Sequence, residues 1–331
     1  MRVLVTGATG FVGSHTAAAL CHAGHEVRVL ARNPSRVSPA LNPHGVTAEI
    51  VVGDMTDSAA VGSAVAGCDA VIHAAGEIGV DSGTGPVASV NLDGARTVIA
   101  CALDAGADPV VYTSSVTAYL PTDDDILTAE SALVSSGSSY GASKVAVEHL
   151  VREWQAQGAP VTSIVLGGVY GPICPHLNGS FAAILGALES MMLVPPGGLG
   201  VIDVRDVAAL LTAAVEPGRG ARRYLAGGHF LTWTEWTRAL SEAAGREVAQ
   251  QAVSADELLD LGRTCDRMRA EGKGSLPLSE EAAIIMLSGV PTDDSATLAD
   301  LGCAYRDYIE TFADTVRYLH SIGRLPNEPG A

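Results

Sequence analysis

Apolar residues along this chain fall into two alternating patterns: short aliphatic runs, and longer stretches where apolar positions return every three or four residues. RVLVT (2–6) is a short β-branched run that ends at a glycine and predicts a first strand. A helical pattern follows from about 11 to 23, and HEVRVLA (25–31) alternates as a second strand. AEIVVGD (48–54) predicts a third strand, a helix follows, and DAVIHAAG (69–76) predicts a fourth. A long helix is expected over 88–107, a fifth strand in PVVYTSS (109–115), a helix in SSYGASKVAVEHL (138–150) and another strand in VTSIVLG (161–167). Apolar strands alternating with helices of this length specify an α/β chain, with a doubly wound parallel sheet covered on both faces.

The pattern then changes. GVYGPICPHLNGS (168–180) is rich in Gly and Pro and breaks the alternation. A helix at 181–190, a PPGG turn, a helix in DVRDVAALLTAAV (203–215) and a strand in RRYLAGG follow. LTWTEW opens another helix, with Thr232 and Glu235 spaced as a capping box. The rest is mostly helical to about 322, and the tail LPNEPGA is expected to fray. No internal repeat or low-complexity tract is visible.

Composition narrows the function classes. The chain has 331 residues, 47% of them hydrophobic, which is enough for a large core. Its net charge of −17 would repel phosphate backbones, so nucleic acid is excluded as a partner. Cys21, Cys68, Cys101, Cys174, Cys265 and Cys303 are scattered without a CxxC pair, as free thiols in a reducing compartment would be. Cys21, His22 and His25 sit close in sequence, but no second cluster completes a metal site, and no metal is expected. No signal peptide or membrane-length apolar run is seen; 181–196 is interrupted by Glu189 and ends in Pro-Pro. The expectation is a cytoplasmic protein.

Two places carry chemistry. LVTGATGFVGSH sets Gly7, Gly10 and Gly13 between the first strand and the first helix. Glycines there let backbone approach a pyrophosphate, and the helix N-terminus offers free N–H groups to it. The end of the second strand should face the adenosine ribose, where a carboxylate would bind a 2′-hydroxyl. Here the strand ends in LARNPSR, with Arg32 at that position and Ser35 and Arg36 behind it. Guanidinium groups suit a 2′-phosphate, and with no carboxylate at that position to repel it the preference expected is NADP(H) over NAD(H).

The second place is Tyr140 and Lys144, one helical turn apart in a chain with two lysines. Hydride reduction of a ketone leaves an alkoxide that needs a proton. A phenol with a pKa near 10 is a poor acid–base group at neutral pH, and an ammonium one turn away would bring that pKa down. Ser114 or Ser115, at the end of the fifth strand, could orient the substrate oxygen. The bland alternative is a polar face on a surface helix.

TGATGFVG, GDMTD (53–57), VIHAAG, VNLDGARTV, VYTSSVTAY, YGASK and VYGP occur in the order and spacing of the extended short-chain dehydrogenase/reductases. The chain resembles their NAD-dependent epimerase/dehydratase branch, near dihydroflavonol-reductase-like and hopanoid-associated epimerase-like members, over about 1–215. The resemblance implies a Rossmann domain (1–170 plus about 200–225) and a smaller, mostly helical substrate lobe (about 171–199 and 226–325). It implies a catalytic triad of Ser115, Tyr140 and Lys144. Ser115 is preferred to Ser114 because it lies four residues before Tyr119, as in the family's Ser-x-x-x-Tyr pattern. The cofactor contacts implied are Gly7, Thr9, Gly10, Phe11, Val12, Gly13, Arg32, Ser35, Asp54, Met55, Ala74, Ala75, Gly76, Thr113, Tyr140, Lys144 and Val169. Asn91 would support the active site or cap a helix, and Asp206 would start or stabilise its helix. A homodimer would form through Ala/Val-rich faces at 95–105 and 145–151.

Departures from the family pattern sharpen this. Val116 and Thr117 replace the Asp-Glu pair of 4,6-dehydratases, and Arg32 replaces the acidic residue of sugar-nucleotide epimerases. Leu166 and Gly167 stand where the family has Arg-Pro, and Asn178 is either a substrate contact or a loop cap. MMLVPPGG (191–198) would line or lid the cleft, or be core. The function expected is an NADP(H)-dependent reductase or dehydrogenase of a small, fairly apolar substrate. The rivals are an NAD-dependent sugar-nucleotide epimerase and a non-catalytic dinucleotide sensor.

Overall fold

The computed structural model describes residues 1–77, 87–134, 139–273 and 278–326; most of the tail expected to fray (327–331) lies outside them. Its strands in chain order are β1 (Arg2–Thr6), β2 (Glu26–Ala31), β3 (Glu49–Val52), β4 (Ala70–His73), β5 (Val110–Ser115), β6 (Val161–Leu166), β7 (Gly168–Tyr170), β8 (Met192–Val194), β9 (Gly198–Asp203), β10 (Arg222–Ala226), β11 (His229–Thr232) and β12 (Gln250–Ala252). The helices are α1 (Phe11–His22), α2 (Val37–Leu41), α3 (Ser58–Val65), α4 (Val87–Asp104), α5 (Ser139–Ala156), α6 (Gly179–Glu189), α7 (Val204–Ala213), α8 (Trp233–Ala243), α9 (Ala255–Ala270), α10 (Glu280–Ser288), α11 (Ser295–Leu301) and α12 (Tyr308–Ser321).

Seven strands form one parallel sheet in the order β10-β6-β5-β4-β1-β2-β3. The order reverses between β1 and β4, which opens a crevice beyond their carboxyl ends. The central strands β4 (AVIH) and β6 (VTSIVL) are buried at every position, as a sheet covered on both faces requires. One face carries α1 and α7 over Val5, Val29, Ile72 and Ile164. The other carries α3, α4 and α5 over Leu4, Val71 and Val110.

The alternation in 25–31 does not mark a strand with one wet face. Arg28 is buried, and its guanidinium runs under α3 to the carbonyls of Ala64 (2.9 Å) and Ala66 (2.7 Å) and to Glu49 (3.0 Å). The free carbonyls at that helix end make burial of the cation tolerable.

Beyond β6 the sequence left β7, β8, β9, β11 and β12 unread. β7, β9 and β11 form a three-stranded sheet, and β8 pairs with β12. Apart from the six-residue β9, these strands have three or four residues, and they pack closely at glycines. A Cβ on Gly167 would sit 2.3 Å from the Gly227 carbonyl oxygen, and one on Gly200 2.5 Å from it. This is a packing reason for Gly167 in place of the family's Arg-Pro. Around this sheet, α6, α8 and α12 enclose Trp236, Phe181 and Phe312 in a second core. Met192 is buried in that core, so this part of 191–198 is packing rather than lid.

A buried ion network ties this part to the sheet. Asp203, with a fully buried side chain, caps α7 through Arg205 N (2.8 Å) and pairs with the Arg205 guanidinium (2.8 Å). Arg306 lies 3.7 Å from Asp203 and 3.0 Å from Asp206. The residue that starts α7 is therefore Asp203. Asp206 sits in the first turn but accepts from Arg306 N (2.9 Å) and Nε (3.0 Å), holding the segment before α12. The expected capping box is present at Thr232 and Glu235.

Burial pushes the Asp203 carboxyl up, but the hydrogen bonds and charge of Arg205 with the charge of Arg306 outweigh it, and the net direction is down. A depressed carboxyl stabilises the fold above its unfolded pKa near 3.9 and loses that contribution as pH falls through its lower folded value. Asp203→Asn is expected to cost about 2–4 kcal/mol at pH 7. The gap from wild type should shrink below about pH 4, as followed by urea unfolding at several pH values.

Candidate active site

The glycine turn is built by close backbone approach. Gly7 has φ +79°, and a Cβ there would lie 2.6 Å from Ala75 N and 2.7 Å from the Ala74 carbonyl oxygen. A Cβ on Gly13 would fall 2.2 Å from the Gly7 carbonyl oxygen. The turn is thereby pressed between β4 and the start of α1. Thr6 Oγ1 meets His73 Nδ1 at 2.7 Å and accepts from Ala75 N at 3.3 Å, which locks the ends of β1 and β4 side by side.

Helix α1 starts at Gly10 with no side-chain cap, whereas α3, α6, α7, α8, α9, α10 and α12 each begin with a side chain bonded to backbone N–H. Its open end adjoins a cleft of about 190 Å³ lined by Gly7, Thr9, Gly10, Arg32, Asp54, Met55, Ala74, Ala75 and Gly76. Uncapped N–H groups, a backbone free of side chains and a cleft at the sheet's switch point fit a dinucleotide pyrophosphate and adenosine.

The side chains of the other expected contacts do not line this cleft. Phe11 packs edge-on to Phe181 in the second core, and Val12 lies against the first. Val169 lies between those two cores. Ser35 donates to Asn33 Oδ1 (2.7 Å) within its own loop. Thr113 is buried and donates to the His73 carbonyl (3.2 Å).

The environment of Arg32 differs from the expectation. Two carboxylates flank it: Glu77 at 3.4 Å and Asp54 at 3.9 Å. Thr56 N (2.9 Å) and Oγ1 (2.7 Å) donate to Asp54 and hold its carboxyl below the usual range, with Arg32 adding to the effect. Glu77 lines the same cleft. Its backbone is clamped by Asn91, which accepts from Glu77 N (2.8 Å) and donates to Glu77 O (2.9 Å). Asn91 also donates to Ser143 Oγ at 3.1 Å; it lies inside α4 and caps nothing. Glu77 escaped the sequence reading because nothing local links positions 32 and 77; sheet order brings them together.

At the carboxyl ends of β5 and β4 three polar groups meet. Ser115 lies near enough to the Tyr140 phenol to favour its ionised form. Ser115 Oγ accepts from Thr117 N (3.3 Å) and Oγ1 (3.0 Å), which leaves its own proton for Tyr140 or a substrate oxygen. Ser114 is buried, and its Oγ has no hydrogen-bond partner. Lys144 is buried with Nζ donating to the Thr113 carbonyl at 2.9 Å, 5.7 Å from the Tyr140 ring centre and 5.0 Å from that of Tyr112. A polar face on a surface helix would not be packed in this way.

The electrostatics of the pair run opposite to the expected direction. Burial pushes the Tyr140 phenol up to about 12, with Ser115 opposing and Glu281 of α10 adding to the rise. Burial also pulls Lys144 down to about 8, against the charge of Glu148. Desolvation is the largest cause at both groups. Glu281 was not singled out in the sequence because it lies far along the chain on α10.

Asn178 is the N-cap of α6, accepting from Ser180 N (3.1 Å) and Phe181 N (3.4 Å). Among the described residues no group of three or more His, Cys, Asp or Glu could hold a metal ion, and no helix is long and apolar enough to cross a membrane.

A doubly wound parallel sheet with an open-ended helix at its switch point defines the class: a dinucleotide-binding α/β protein of the Rossmann type. The chain belongs to the NAD dependent epimerase/dehydratase family, which it matches over residues 3–227. It is an NAD(P)-dependent enzyme of the extended short-chain dehydrogenase/reductase type. It is 28% identical over 333 residues to "Sterol demethylase protein B" of Methylococcus capsulatus, covering 98% of this chain and 100% of that one. It is 33% identical over 267 residues to "2'-dehydrokanamycin reductase" of Streptomyces kanamyceticus, covering 77% and 70%. The fold superposes with TM-score 0.79 on UDP-glucose-4-epimerase from Stenotrophomonas maltophila with bound NAD, at 21% identity over 98% and 99% of the chains.

Gly13→Ala forces its methyl into the Gly7 carbonyl. The expected outcome is loss of dinucleotide binding by at least about tenfold, read by tryptophan fluorescence titration, because the turn must open.

Proposed function

We propose that this chain is an NADP(H)-dependent oxidoreductase that reduces a carbonyl, or oxidises a secondary alcohol, of a small and fairly apolar substrate. The observation that carries the reading is the buried Lys144, its Nζ on the Thr113 carbonyl and 5.7 Å from the Tyr140 ring centre, with Ser115 at the carboxyl end of β5. The dinucleotide, when bound, would supply or accept the hydride. Ser115 would donate to the substrate oxygen and fix its position. Tyr140 would give its proton to the alkoxide that forms, and the Lys144 ammonium would stabilise the phenolate left behind. Gly7, Thr9, Gly10, Asp54, Met55, Ala74, Ala75 and Gly76 would hold the cofactor, and Arg32 would meet its 2′-phosphate.

The second reading is an epimerase that retains NAD(H). It is favoured by the two carboxylates beside Arg32, which repel a phosphate and suit ribose hydroxyls. A dinucleotide sensor is disfavoured, because a sensor has no need of the Tyr140, Ser115 and buried Lys144 set. We also propose a homodimer through the outer sides of α4 and α5; the expected Ala/Val faces are not free for it, because Ala95, Val98, Ile99, Ala102, Val147 and Val151 are buried in the core beneath these helices.

Tyr140→Phe is expected to lower turnover at least about 100-fold while dinucleotide binding changes less than about threefold. Full activity of this variant on any substrate turned over by the wild type would sink the mechanism. Arg32→Ala should weaken NADP(H) about tenfold and leave NAD(H) unchanged, and Glu77→Gln should tighten NADP(H) several-fold. Titration of both dinucleotides at two salt concentrations reads these differences, and tighter NAD(H) than NADP(H) in the wild type would select the second reading.

A further inference from the structure

The helix that carries Tyr140 and Lys144 carries a third polar group on the same face. Glu148 lies one turn beyond Lys144 and is 0% exposed. One carboxylate oxygen accepts from Ser163 Oγ of β6; the other is buried with no donor. Arg152, the next cation along α5, spends its guanidinium on the Tyr119 hydroxyl (3.3 Å) and the Ser131 carbonyl (3.4 Å). A buried carboxylate left half-satisfied, without a cation of its own, is costly to keep.

The other titratable groups around Lys144 offer it no negative charge. His73 of β4 is pushed down to about 3, by burial and then by Lys144 itself, and stays neutral. The Tyr112 phenol of β5 is raised by burial and stays neutral. Tyr140 on the same helix is neutral for the same reason. Among the described residues, Glu148 is the opposite charge felt by Lys144, and it opposes the effect of burial there.

We propose that Glu148 is a positioning residue for the reaction: the buried counter-ion that keeps Lys144 protonated, with its Nζ donating to the Thr113 carbonyl, before substrate enters. The carboxylate makes no ion pair with Nζ. It acts along the helix through low-dielectric packing, where a charge one turn away is felt strongly. Without it, part of the Lys144 population would be neutral near pH 7.5, since burial alone already pulls this amine far below its ordinary value. The proposal rests on the reading of Lys144 as the partner of Tyr140, but its test addresses the lysine directly and needs no substrate.

Lys144 and Lys273 are the two lysines of the chain, and Lys273 is exposed. Lysine labelled with ¹³C at Cε therefore gives one buried signal and one built-in control. In Glu148→Gln, Lys144 should titrate about one unit lower than in wild type, a tenfold change in its protonation equilibrium, while Lys273 does not move. Glu148→Asp, which keeps the charge, should recover most of that difference. Glu148→Met gives a second neutral side chain should the Gln variant fold poorly. The alkaline limb of the dinucleotide-affinity profile should move in step with the Lys144 signal. A folded neutral variant whose Lys144 titrates within about 0.2 unit of wild type overturns the proposal and leaves Glu148 as an anchor of α5 to Ser163. That result would not touch the Tyr140→Phe test, so the two readings fail separately.

Discussion

The structure turns on the close approach of bare backbone at Gly7 and Gly13. With no side chains there, the β1–α1 turn packs within a methyl's reach of the end of β4. Three consequences follow from that one contact. The first turn of α1 keeps its N–H groups free and faces a cleft; β1 and β4 become neighbours at the point where strand order reverses; and the Thr6–His73 bond can form across them. A helix start capped by its own side chain would satisfy those N–H groups and leave no reason for an anion to bind.

The Tyr140–Lys144 side of the molecule obeys a different constraint, desolvation. Tyr140, Lys144 and Glu148 are stacked by helical spacing along α5, with Lys144 and Glu148 sealed against β5 and β6. Removing water pushes the phenol up and the amine down, so each drifts toward its neutral form. What keeps such a site useful is charge supplied from nearby at low dielectric, and Glu148 is built into the helix to supply it. The cleft on the far side of β1 works in the opposite regime. Arg32, Asp54 and Glu77 are partly exposed there, so their mutual attraction is screened and an incoming ligand can rearrange them.

The second, smaller body of structure is held by fewer and stronger devices. Most of its strands have three or four residues, and they pack closely at glycines where a side chain would clash. An aromatic core around Trp236 and Phe312 fills it. The Asp203–Arg205–Arg306–Asp206 network then joins it to α7 on the sheet. Burying that many charges is tolerable because each carboxylate meets a guanidinium or a backbone N–H.

The sheet, the glycine turn and the Tyr140–Lys144 pair were legible in the sequence because each is a local statement. Strand runs and helical periods repeat over a few residues, a turn needs glycine at set offsets, and one turn of helix puts i and i+4 on one face. The β7–β9–β11 sheet was not legible, since β7 and β11 are short, β9 is broken by glycine, and the strands pair far along the chain. Nor was the meeting of Glu77 with Arg32, the capping of α7 by Asp203 rather than Asp206, or the sign of the shifts at Tyr140 and Lys144. Those depend on which segments lie side by side and on how much water is left between them. Local order in this protein is written residue by residue; neighbours and dielectric come into existence only when the chain closes on itself.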